Sequence, residues 1–179
     1  MLMTLERVFD RFSNLMGWIA GFLNLVMLVN VFYDAIMRYF FRSGSIALQE
    51  MEWHLFSIVF LFGMAYTLKE DAHVRVDILY DHFSPRWKAV VNIAGTLLFL
   101  VPLCALIIEG SVWYVHEAYV SSEISGDPGG LTHRWLIKAV IPASLIFLIV
   151  SAAGFVVRNI NIFRGVEEPP VHDIKDEIL

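Results

Sequence analysis

Four uncharged segments limit what this chain can fold into more than any other feature. They lie between Arg11 and Asp34, Glu52 and Lys69, Lys88 and Glu109, and Lys138 and Arg158. Their lengths are 22, 16, 20 and 19 residues. A helix needs about 17 to 25 mostly apolar residues to cross a bilayer. The second segment is short, but apolar residues 46–48 extend it backwards. The sequence therefore predicts an all-α integral membrane protein with four transmembrane helices.

The composition excludes several functional classes. Hydrophobic residues make up 58% of the chain and charged residues only 17%, whereas soluble domains average about 25% charged residues. This balance argues against a soluble enzyme, a nucleic-acid-binding protein and a disordered chain. The single cysteine, Cys104, lies inside the third segment, so the chain can form neither an internal disulfide nor a metal site built from cysteines.

The predicted membrane domain covers residues 14–158, with spans over about 15–38, 46–68, 87–114 and 133–157. Residues 1–13 have the apolar spacing of an amphipathic helix. They either form an arm in the membrane interface or continue as the first turns of span one. The acidic residues 159–179 are expected to be a disordered cytoplasmic tail. Pro102 is expected to kink span three.

The distribution of lysine and arginine predicts the orientation. With four spans, both termini and the second loop share one side of the membrane. That side holds nine of these residues and the opposite side holds four. Because basic residues concentrate on the cytoplasmic side, both termini are predicted to be cytoplasmic.

Ionisable residues near the spans are the first candidates for a function, because charge inside a membrane is costly. Asp34 and Arg38 are four residues apart and are expected to pair within span one. Glu50, Glu52 and His54 open span two. Phe60, Leu61 and Phe62 follow them, so contact with a partner protein or solvation fits better than a proton relay. Glu109 is expected to be solvated at the outer boundary of span three.

Two other classes of membrane protein remain open at this point. Haem-bearing anchors of redox enzymes use paired histidines on facing helices, and His54 and His116 are a conceivable pair. A small self-sufficient transporter is the second alternative. The chain shows no internal repeat of the kind such transporters contain, and four helices leave little room for a substrate path.

The chain resembles the small membrane subunit of tripartite ATP-independent periplasmic (TRAP) transporters, the DctQ-like family. The matching pattern is Glu50 opening span two, Gly63 thirteen residues later, and His-Val-Arg-Val-Asp over 73–77. The sequences Asp-Pro-Gly-Gly over 127–130 and Lys-Ala-Val-Ile-Pro over 138–142 resemble the segment leading into the family's fourth helix. The resemblance extends over nearly the whole chain, and Glu52 is an addition to the pattern.

The resemblance implies a role as a non-enzymatic subunit without a cofactor, in the bacterial inner membrane. A large subunit would carry the sodium and substrate sites and move like an elevator. The small subunit would extend the fixed scaffold, and a periplasmic binding protein would deliver an organic acid such as a dicarboxylate, a keto acid or sialic acid. The candidate partner-interface or structural residues are Glu50, Glu52, Trp53, Gly63, His73, Arg75, Asp77, Gly129, Gly130, Lys138 and Pro142.

Overall fold

The computed structural model describes residues 2–72, 80 and 82–166, with side chains from residue 6 onward. The helices are α1 (Leu2–Phe41), α2 (Ile46–Lys69), α3 (Pro85–Val120) and α4 (Trp135–Phe163). Each is long and apolar enough to cross a membrane. The predicted fold class, all-α with four membrane-spanning helices, is confirmed for this part of the chain.

Three helices extend beyond the predicted spans. α1 is unbroken from Leu2 to Phe41, so the predicted arm and span one are one continuous helix. α3 ends at Val120, six residues beyond the predicted 114. α4 ends at Phe163 instead of 157, so residues 159–163 are helical and do not belong to the tail. Residues 167–179 lie outside the described part of the chain.

Three helices end in the same backbone motif, and only one of the motifs uses glycine. Asp71, Ser122 and Gly165 have φ values of 59°, 50° and 73°. In each case the next N–H bonds to the carbonyl five residues before it, at 3.0 to 3.1 Å. This arrangement satisfies carbonyls that the end of a helix leaves unpaired.

Pro102 is accommodated by a π-helical stretch over Thr96–Leu100. The N–H of Val101 bonds to the carbonyl of Thr96, five residues earlier. Proline has no N–H and its ring clashes with a carbonyl of the preceding turn. The wider π-helical turn just before Pro102 shifts the carbonyl that the ring would otherwise meet. Local adjustments of this kind let a membrane helix tolerate an internal proline.

α4 lies at the centre of the molecule and packs against the other three helices. Its residues Leu145, Leu148, Ala152 and Phe155 form the buried core with Leu68 of α2 and Cys104 of α3. α3 contributes a narrow buried stripe that consists of Ala89, Thr96, Cys104, Ser111 and Ala118. We call the end of the bundle with connections 42–45 and 121–134 the two-loop end, and the opposite end the terminal end.

Candidate functional site

Glu50 fastens the long loop 121–134 to the start of α2. Its side chain is 8% exposed. The Ser125 hydroxyl donates to Glu50 Oε1, and the Leu131 N–H donates to Oε2 at 2.5 Å. Both carboxylate oxygens therefore bind the loop of the same chain. This contact explains why a carboxylate can be buried at this position, since hydrogen bonds to its charged form compensate for lost solvation.

The segment held by Glu50 is the predicted Asp-Pro-Gly-Gly turn. The Gly130 N–H bonds to the Asp127 carbonyl at 3.0 Å, and Gly129 has φ +84°. Proline at the second position and a positive φ at the third are typical of a type II turn. A Cβ on Gly130 would lie 2.5 Å from Ser125 and 2.8 Å from Glu50 Oε2. Gly129 thus supplies the turn geometry, and Gly130 supplies the space for Glu50.

A second polar cluster lies beside this loop. Lys138 pairs with Glu123, and its Nζ lies 3.9 Å from the centre of the Tyr114 ring. Arg134 also approaches Glu123, at 3.8 Å, and its guanidinium lies 5.6 Å from the Trp53 ring. The cluster joins α2, α3, α4 and the loop, so Trp53 and Lys138 both contribute to the internal structure of the two-loop end.

Two buried polar atoms at the start of α2 have no hydrogen-bond partner within the described residues. They are Glu52 Oε1 and His54 Nε2. The His54 ring lies 3.9 Å from the Trp53 ring, centre to centre, and His116 is exposed on α3. In the described part of the chain, no three His, Cys, Asp or Glu side chains are grouped to hold a metal ion. Of the two candidate glutamates, Glu50 binds the loop, whereas Glu52 Oε1 has no partner in the described part of the chain.

Asp34 and Arg38 pair within α1, as predicted. The closest approach of the two groups is 2.9 Å, and Asp34 is fully buried whereas the Arg38 side chain is half-exposed. Nearby, Asn30 Nδ2 donates to the Leu48 carbonyl at 2.9 Å. The Asn30 hydrogen bond connects α1 with the first turn of α2.

The terminal end holds a network of polar contacts that the sequence analysis missed. It connects α1 with α2, α1 with α4, α2 with α4, and α3 with α4. Its hydrogen bonds are Lys69 to Asn14 (2.8 Å), Ser13 with Ser151 (2.7 Å), Asn161 to Glu6 (2.8 Å), Asn92 to Asn159 (2.9 Å) and Arg158 to the Lys69 carbonyl (3.3 Å). Gly165, a typical residue just past a helix end, was the sequence signal that α4 continues to include Asn159 and Asn161.

Glu70 follows the last residue of α2 and adds a charge pair to this end. Lys69 Nζ donates to Glu70 Oε1 at 2.7 Å. This hydrogen bond holds the pKa of Glu70 below its usual value. The Glu70 side chain is substantially exposed, so water screens the pair and its contribution to stability is small.

Glycines allow close helix approach at two positions. A Cβ on Gly17 would lie 2.7 Å from the Tyr66 ring of α2, and one on Gly154 would lie 2.6 Å from Cβ of Phe9 in α1. Gly21, one turn after Gly17, has open space around it. Gly63 is also open, so it makes no close helix contact within the described chain.

The other candidate residues have less defined surroundings. Pro142 lies inside α4, where it cannot donate to the carbonyl of Lys138. His73, Arg75 and Asp77 lie outside the described residues. A contact with a partner stays a prediction for these residues and for Gly63.

The described polar contacts between helices thus gather toward both ends of the bundle. Lys138 and Arg158 of α4 mark the two ends and are about 20 residues, or about 30 Å, apart in a helix. This distance matches the thickness of a bilayer's hydrocarbon core. Between the ends, Thr96, Ser111 and Ser144 each donate to a carbonyl of the preceding turn in their own helix.

The chain is similar in sequence to components of a known transporter family. Residues 27–161 match the family model for the DctQ component of tripartite ATP-independent periplasmic transporters. A Haemophilus influenzae protein named as a TRAP transporter small permease protein is 31% identical over 138 residues, covering 75% of this chain and 84% of its own length. Another protein of the same name and organism is 27% identical over 127 residues, covering 70% and 74%.

The family match and the four apolar helices identify a multi-pass protein of the bacterial inner membrane. This family is a transporter component and is not a class of enzymes. The chain belongs to the DctQ family, the small permease subunits of tripartite ATP-independent periplasmic transporters.

Proposed function

We propose that this subunit is a fixed scaffold for the large subunit of its transporter, which carries the sodium and substrate sites. A periplasmic binding protein delivers an organic acid to the complex. The observation that carries this proposal is the distribution of polar groups. Hydrogen bonds and ion pairs between side chains of different elements gather toward the two ends, whereas the buried core cluster between them is apolar. Such a bundle is suited to hold a shape rather than to conduct a solute.

A scaffold must keep its shape while its partner moves, and the contacts at both ends support this role. Glu50 and Lys138 connect the loop 121–134 to α2, α3 and α4. The network at the terminal end connects all four helices. Polar contacts between membrane helices add specificity to packing that is otherwise apolar.

Reconstitution tests the proposal. We expect sodium-driven uptake of a labelled organic acid into liposomes only when this chain, its large subunit and the binding protein are all present. A dicarboxylate, a keto acid and sialic acid are the probes. Uptake into liposomes that hold this chain alone would overturn the proposal in favour of a self-sufficient transporter. A Soret absorption band in the purified chain would instead support the haem-binding anchor.

A further inference from the structure

Glu109 presents a carboxylate on the membrane-facing surface of α3. The sequence predicts this carboxylate at the outer boundary of span three, but α3 continues eleven residues beyond Glu109, to Val120. The contact of Lys138 with Tyr114 marks the boundary at the two-loop end. Glu109 precedes Tyr114 by five residues and therefore lies about 7 Å deeper in the membrane.

The direction of α3 keeps this carboxylate away from the nearer membrane surface. Side chains on a helix lean toward its amino terminus, and the amino terminus of α3 lies at the terminal end. Glu109 thus leans toward the membrane interior, away from the lipid headgroups at the two-loop end. The side chain is exposed on the surface of the chain and makes no hydrogen bond or ion pair within the described residues.

The surface around Glu109 is apolar and faces away from α4. In this half of α3 the buried stripe consists of Cys104, Ser111 and Ala118, and it defines the side that packs against α4. Leu106, three residues before Glu109, is 67% exposed, and Trp113, four residues after it, is 68% exposed. We call this surface, defined by Pro102, Leu106, Glu109 and Trp113, the Glu109 face.

We infer that the Glu109 face packs against a transmembrane helix of the large permease subunit, which presents a lysine or arginine side chain to Glu109. This inference rests on the proposed function, because it assigns the surface by which the scaffold holds its partner. An unpaired carboxylate facing hydrocarbon is costly, and ionisable residues within membranes generally pair with an opposite charge. Lipid tails provide no such charge.

A second copy of this chain is a poorer occupant of the same face. In a two-fold contact centred on the face, the same surface meets itself. Two Glu109 carboxylates would then lie close together, and like charges at short distance repel strongly in a medium of low dielectric constant. A basic residue on a different subunit removes this repulsion and neutralises the carboxylate.

Photocrosslinking in the assembled complex tests the location of the contact. p-Benzoylphenylalanine replaces Leu106 on the Glu109 face or, as the control, Ile146 on α4, which is 50% exposed. We expect the Leu106 probe to crosslink to the large subunit at least about threefold more efficiently than the Ile146 probe. A Leu106 probe that reacts only with lipid or with a second copy would overturn the inference.

Charge variants test the chemistry of the contact. We expect Glu109→Lys to lower the amount of large subunit that co-purifies by roughly threefold to tenfold, while Glu117→Lys, on the same helix beyond Tyr114, leaves it unchanged. Glu109→Leu should also weaken the complex, yet leave the melting temperature of the isolated chain unchanged or raised. A complex that tolerates both Glu109 variants would contradict the inference.

The same experiments separate this inference from the proposed function. If the wild-type chain does not co-purify with the large subunit, the scaffold proposal itself fails. The second outcome is a wild-type complex that forms and supports uptake, while the Glu109 variants leave co-purification unchanged and the Leu106 probe does not crosslink to the large subunit. In that case the scaffold proposal stands, and the assignment of the Glu109 face as the contact surface fails.

Discussion

At the scale of single residues, two neighbouring glutamates of α2 differ in what they bind. Glu50 accepts hydrogen bonds from Ser125 and Leu131, whereas Glu52 Oε1 is buried without a partner in the described chain. The sequence predicted both as interface candidates and could not rank them. The difference depends on a loop that is 75 to 81 residues away along the chain.

Replacing each glutamate by glutamine separates these situations. We expect Glu50→Gln to lower the unfolding free energy of the isolated chain by about 1 to 3 kcal/mol, because one buried donor loses its acceptor. Glu52→Gln serves as the matched control and should have little effect on the isolated chain. Thermal unfolding in detergent measures both. Equal stability of the two variants would show that the Glu50 contacts with the loop are unimportant.

Two glycines of the same loop provide a second comparison. Alanine at Gly130 would place its Cβ 2.8 Å from Glu50 Oε2, whereas alanine at Gly126 meets nothing within 4 Å. We expect Gly130→Ala to cost about 1 to 3 kcal/mol of stability, because overpacking forces its neighbours to move. Gly126→Ala should be nearly neutral. A neutral Gly130→Ala variant, measured by thermal unfolding, would contradict the packing seen here.

At the scale of elements, the lengths of the helices depend on contacts as well as on hydrophobicity. The apolar segments correctly predicted where all four helices lie in the sequence. However, α3 and α4 each continue about six residues past their predicted ends. The extra turns of α4 carry Asn159 and Asn161, which bind α3 and α1. Asp71 and Ser122 end their helices with a positive φ and no glycine, so the sequence gives no clear signal for those ends.

The crossing of α1 and α4 provides a test at this scale. Gly154→Ala would place a methyl group 2.6 Å from Phe9 Cβ, whereas Gly21→Ala meets open space. We expect Gly154→Ala to destabilise the chain by about 1 to 3 kcal/mol through overpacking. Gly21→Ala should be neutral or stabilising by up to about 1 kcal/mol, since alanine favours helix more than glycine does. If thermal unfolding shows Gly21→Ala to be less stable than Gly154→Ala, close packing of α1 on α4 at Gly154 is excluded.

At the scale of the whole molecule, the orientation in the membrane is a prediction from the basic residues. We predict that the terminal end is cytoplasmic and the two-loop end is periplasmic. Cys104 is only 3% exposed and lies inside a span, so the native thiol provides little background for labelling experiments.

Single cysteines test this orientation. We expect a membrane-impermeant maleimide added to intact spheroplasts to label Gly126→Cys in the exposed loop 121–134. Gly165→Cys, just past α4, should react only after the cells are opened. The wild-type chain is the control for Cys104. Labelling of Gly165→Cys in intact spheroplasts would reverse the predicted orientation.

The sequence by itself determined that this is a four-helix membrane protein, because the hydrophobic effect acts on the length of each apolar segment without reference to the others. It also determined local contacts within a few residues, such as Asp34 with Arg38 and the turn at Gly129. Only the tertiary structure decided which polar groups find partners. Glu50 is bound by a distant loop while Glu109 faces outward, and this difference depends on how the helices rotate and pack against α4.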